Sequence, residues 1–93
     1  MNYSVIPLKR YCKALVRLNR RKGFSRRRLE EVIHILQSGG VLPVKHCDHQ
    51  LTGDLKKYRE CHVQPDVLLV YEIRADVLIL ILVNIGDHQE IFG

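Results

Sequence analysis

The chain has 93 residues, 46% of them apolar and 27% charged, enough for one domain with a thin core and too few for a second lobe around a cofactor. That balance excludes a disordered tail, and the longest apolar run, Val77 to Val83, falls far short of the roughly 20 residues of a membrane-spanning helix. The formal charge of +5 is polarised: Lys9 to Arg28 carries ten basic residues and no acid, whereas Leu29 to Gly93 carries five basic and ten acidic residues. Such a surface suits a polyanion such as nucleic acid, the blander alternative being a solvated helix face.

The start MNYSVIPLKRYCK has no apolar run behind a basic segment, so the expected compartment is the cytoplasm. Cys12, Cys47 and Cys61 cannot all pair within the chain and are expected as free thiols.

Asn2 to Ile6 predicts a short edge strand, with Pro7 opening the helix that follows. Leu8, Tyr11, Cys12, Leu15 and Leu18 form its apolar stripe, Lys9, Arg10, Lys13, Arg17 and Arg20 point elsewhere, and Gly23 supplies the stop. Ser25 caps a second helix with the stripe Leu29, Val32, Ile33 and Leu36, ending at Ser38-Gly39-Gly40. Arg26, Arg27 and Arg28 place cations at the positive end of that helix dipole, which opposes stability and points to an anionic ligand.

Val41 to Asp54 has neither helical nor strand periodicity and reads as a long functional loop. Strands follow at about Lys56 to Val63, Val67 to Arg74 and Val77 to Ile85, joined at Gln64-Pro65-Asp66 and Ala75-Asp76 as an antiparallel meander. Val77 to Val83 is apolar throughout, as in a strand buried on both faces. The expected fold is one α+β domain over residues 1–93: a short N-terminal strand, two helices and the meander, with the helices packed on one face of a four-stranded sheet.

Four protonatable residues carry the functional reading. His62 ends one strand, Asp66 follows its turn, His88 follows the last strand, and His49 sits in the loop that can fold over the same rim. Histidines beside a carboxylate can serve as general base, general acid and orienting group. Two histidines cleave RNA when one takes the ribose 2′-hydroxyl proton and the other protonates the departing 5′-oxygen; Lys56, Lys57 and Arg59 are candidates to stabilise the phosphate. His34 reads as structural and His46 has no evident partner. No metal or other cofactor is expected, because no C-x2-C pair is present and adjacent Cys61 and His62 should face opposite sides of a strand. Nothing in the sequence fixes a base beside Cys47.

The string from His49 through Gly53, Asp54, Arg59, His62 and Asp66 to Tyr71, with the tail Gly86-Asp87-His88-Gln89-Glu90-Ile91-Phe92, resembles the YafQ branch of the RelE/ParE superfamily of bacterial toxins, over the whole chain in order of elements. The resemblance implies the toxin of a type II toxin-antitoxin pair, a metal-independent endoribonuclease that cuts messenger RNA on the ribosome. It implies catalytic roles for His49, His62, Asp66 and His88 and substrate support from Phe92. The basic residues Lys9, Arg10, Lys13, Arg17, Arg20, Arg21, Arg26, Arg27 and Arg28 would face ribosomal RNA. The implied partner is a cognate ribbon-helix-helix antitoxin of the DinJ or RelB kind, with operator DNA reached only through that complex and no membrane partner.

Two positions depart from the pattern. Asn84 stands where the best-known members carry a phosphate-stabilising arginine, and Val67 where tryptophan is common. Asparagine keeps a donor and loses the charge, a role that Arg59 is then expected to fill. Two alternatives follow: a toxin of the same fold that binds a protein target, as the ParE branch binds DNA gyrase, or a weakly active toxin serving mainly as antitoxin-bound co-repressor.

Overall fold

A computed structural model describes residues 2–93. Its elements in chain order are β1 (Ser4–Pro7), α1 (Lys9–Leu18), α2 (Arg26–Gln37), β2 (His49–Gln50), β3 (Arg59–Gln64), β4 (Val67–Arg74), β5 (Ile79–Gly86) and α3 (His88–Phe92), with single 3-10 turns at Val44–His46 and Gly53–Leu55. The α+β class and the antiparallel β3-β4-β5 meander agree with the sequence reading.

The layout differs in three respects. The sheet has five strands in the order β1-β5-β4-β3-β2, because His49 and Gln50, inside the expected loop, pair with Glu60 and Arg59. Edge strand β1 runs parallel to β5, with Ser4 opposite Ile79, and Pro7 belongs to the strand rather than to the helix. A third helix, α3, forms in the tail.

One face of the sheet carries the core. Tyr11, Ala14 and Leu18 from α1 and Leu29, Val32 and Leu36 from α2 pack with Cys61, Val63, Val67, Leu69, Tyr71, Leu80, Leu82 and Ile85. The buried row of α1 thus runs through Ala14, and Cys12, placed in the stripe by spacing alone, is exposed. Val77 and Leu78 do not begin β5. They lie in the turn after β4, 52% and 38% exposed, with Leu78 at φ 56°. An unbroken apolar run has no alternation to mark where a strand starts.

Ser25 caps α2 as expected, its hydroxyl accepting from the N–H of Arg28 at 3.2 Å. Helix α1 ends at Leu18, and Gly23, at φ 90°, serves the turn between the helices.

Candidate active site

Strand alternation divides β3 between two environments. Cys61 and Val63 enter the core, where burial pushes the Cys61 thiol up to about 12, so Glu60 and His62 share the opposite face. Glu60 is only 6% exposed, and its Oε2 is buried without a hydrogen-bond partner. A carboxylate in this position costs stability, about 1–3 kcal/mol for an unsatisfied buried acceptor, which marks the place as one shaped for something other than packing.

His49 stands opposite Glu60 in the β2-β3 ladder, its Nε2 3.5 Å from Glu60 Oε1. The imidazole Nδ1 donates to the carbonyl of Cys47 at 2.7 Å, which turns Nε2 toward the carboxylate. Asp48, one residue earlier, anchors this part of the loop. It accepts from Arg59 Nε at 3.4 Å, from the Arg59 guanidinium at 3.2 Å, and from the hydroxyl of buried Tyr71. Burial, then the bond to Asp48, raises the Tyr71 pKa, and the same aspartate raises that of Arg59.

The second wall comes from α3. Asp87 accepts from the N–H of Glu90 at 2.7 Å and Glu90 Oε1 accepts from the N–H of Asp87 at 2.8 Å, a reciprocal cap that closes the helix. His88 at the first position then meets Phe92 one turn on, ring centroids 5.1 Å apart and planes at 47°. The backbone N–H of Asp87, followed by the Arg21 guanidinium, lowers the Glu90 pKa below its ordinary value.

His49, Glu60, His88 and Phe92 line one open cavity of about 350 Å³, with Leu51, Thr52 and Leu55. A smaller recess of about 80 Å³ shares Leu51, Leu55 and Phe92 with it and adds Arg10, Tyr58, Val70, Val83, Asn84 and Ile91. Arg10 is the one lysine or arginine lining either space. Two imidazoles, a carboxylate and an aromatic ring therefore surround one volume, and a guanidinium lines the recess beside it.

The other predicted residues are distributed around this cleft. His62, two residues along β3 from Glu60, lines a separate cavity of about 500 Å³ with Arg28, Lys45 and His46, whose Nδ1 donates to the His62 carbonyl at 2.6 Å. Asp66 is exposed in the β3-β4 turn and lines none of these spaces. Arg59 and Lys56 lie beside Gln50 and Ile73 in a different cavity, and the guanidinium is committed to Asp48. Arg59, expected at the phosphate, thus lies outside the cleft with its charge paired. Asn84 lines the recess, its Oδ1 accepting from the N–H of Ile85, and Val67 is buried in the core.

Lys9, Arg10, Lys13 and Arg17 lie on α1 and Arg26, Arg27 and Arg28 open α2, all exposed, with Arg20 in the connection. Arg21 instead pairs with Glu90 and Arg27 with Glu31. Sequence reasoning missed Glu60. The signal was a lone acid alternating with core residues in R-E-C-H-V-Q.

Among the described residues no three histidine, cysteine, aspartate or glutamate side chains converge to hold a metal ion, and no helix is long and apolar enough to cross a membrane. Residues 3–93 match the family model described as bacterial toxin of type II toxin-antitoxin system, YafQ. The chain belongs to the YafQ family.

Over 52 residues it is 38% identical to the mRNA interferase toxin YafQ of Escherichia coli strain K12, a match covering 56% of this chain and 54% of that protein. In this alignment the chain spans about half the length of the curated relative. Solved structures align end to end. A metal-bound toxin of Helicobacter pylori is 39% identical with a TM-score of 0.88, covering 99% of this chain and 100% of that one. YafQ in the E. coli DinJ-YafQ toxin-antitoxin complex is 28% identical with a TM-score of 0.86, covering 100% of both chains.

Proposed function

We propose that this YafQ-family chain is a ribosome-dependent endoribonuclease that cleaves messenger RNA by general acid-base catalysis. The supporting observation is the single cleft that sets the His49-Glu60 pair against His88 and Phe92. E. coli relatives named mRNA interferase support the same substrate.

In this reading the Nε2 of His49 takes the ribose 2′-hydroxyl proton, and the Glu60 carboxylate beside it stabilises the imidazolium that results. The 2′-oxygen attacks phosphorus, the bond to the 5′-oxygen breaks, and His88 gives that oxygen a proton. The products are a 2′,3′-cyclic phosphate and a 5′-hydroxyl end. Arg10 supplies the positive charge for the phosphate, with Asn84 as a neutral donor beside it. Phe92 stacks on a base. His62 and Asp66, outside the cleft, act on the flanking nucleotide, while the exposed cations of α1 and α2 neutralise ribosomal RNA phosphates. No step runs through a metal.

The partner in this reading is an antitoxin, supported by the structural likeness to YafQ in its complex with DinJ. Reconstituted translation is the test. Added protein should cut message at discrete sites leaving 5′-hydroxyl ends, and His88→Ala should leave message intact. Intact message in this assay, from a protein that arrests growth when expressed in cells, would favour a protein target and overturn the nuclease reading.

A further inference from the structure

Helix α3 holds both His88 and Phe92, yet it has only five residues, none of them buried. A helix of that length has no stability of its own, because nucleation costs more than one turn returns. Its orientation must come from the rest of the protein.

Among the described residues, one side-chain hydrogen bond joins α3 to the rest of the chain: the guanidinium of Arg21, in the connection between α1 and α2, donates to Glu90 Oε1 at 2.9 Å. That same oxygen closes the cap by accepting from the N–H of Asp87 at 2.8 Å. One atom thus couples the fold of the helix to its attachment. The carboxylate lies close over the end of β5, where a Cβ at Gly86 would come within 3.0 Å of it. Around Arg21 the charges of Glu90, Asp87 and Asp66 all favour the cation, so removing it leaves like charges facing one another.

We propose that Arg21 and Glu90 are positioning residues, which hold α3 so that His88 and Phe92 present one geometry to the cleft. The kinetic arm of this proposal rests on the nuclease reading above. Arg21 thereby has a task distinct from its basic neighbours: it orients the acid rather than gripping RNA. The pair is about one-third exposed, 36% and 35%, and exposed pairs contribute little to global stability. Its loss should therefore show in the orientation of a weakly held element, with the melting of the whole domain hardly changed.

Glu90→Gln tests this most cleanly, because it leaves the basic surface intact and keeps an amide oxygen for the cap. Expected are a kcat lower by about three- to tenfold, a KM within about twofold of the parent and an unchanged melting temperature, a rate effect of about one tenfold unit. In spectra of the free protein the nuclear Overhauser contact between the His88 and Phe92 rings should weaken, and amide exchange at Ile91 should quicken. Arg21→Met should reproduce the spectral change and Arg21→Lys should restore the ring contact. An intact ring contact in Glu90→Gln, or an unchanged kcat despite a lost contact, overturns the proposal. Should the parent leave message uncut, the nuclease reading fails, and the ring contact alone then decides whether the pair orients α3.

Discussion

Glu60 Oε1 lies 3.5 Å from the Nε2 of His49, while Oε2 of the same carboxylate is buried with no partner. A group held this way trades stability for function. Glu60→Gln is expected to lower kcat for message cleavage by at least about tenfold, through loss of the charge beside the imidazolium. It should raise folding stability by about 1–2 kcal/mol, because a neutral amide is less costly to bury. Urea unfolding and single-turnover cleavage on one preparation would check both signs; lower stability with full activity contradicts the assignment.

Arg10 makes a prediction about charge supply. With Arg10→Ala, kcat should fall by about 10- to 100-fold, the cost of removing a phosphate-stabilising donor. Placing the guanidinium on the adjacent strand, as Asn84→Arg in the Arg10→Ala background, should recover a large part of the rate. Failure of that rescue, with Arg10→Ala raising only KM, would put Arg10 with the surface cations.

Tyr71 and Asp48 support the site from below. Tyr71→Phe leaves the Asp48 carboxylate short of one donor and should cost about 1.5–3 kcal/mol, the range for a hydrogen bond to a charged group. Because Asp48 precedes His49, cleavage should fall as well, without a change in affinity for RNA. Denaturant unfolding and an RNA-binding titration separate these effects.

Alkaline sensitivity follows from three groups. Burial raises Tyr11 from 10.0 to about 12 and Cys61 from 9.0 to about 12, and raises Tyr71 above its ordinary value. In each the folded state favours the protonated neutral form. Their contribution to stability is therefore complete below about pH 9 and is lost progressively as pH rises toward about 12. Unfolding free energies measured between pH 8 and pH 11 should decline, and Tyr11→Phe should make the decline shallower.

The meander and α2 were legible because each leaves a local trace, a turn sequence or a row of apolar residues at helical spacing. The parallel pairing of Ser4 with Ile79 leaves none, since it depends on contacts far apart in the chain. Helix α3 is too short for periodicity, although Asp87 and Glu90, three residues apart, carry the capping signature from which it was readable. His49 and His88 were found by residue type and do share a cleft. His62 was grouped with them on the end of its strand, and only the register shift between His62 and Gln64 and the packing of His46 show that it borders a different cavity.

The two edges of the sheet carry a consequence for assembly. On one side β1 offers four residues, one of them Pro7, which has no N–H; on the other β2 offers only two residues. Neither edge presents a long row of free backbone groups, so the protein resists the strand-to-strand stacking by which sheets form fibrils.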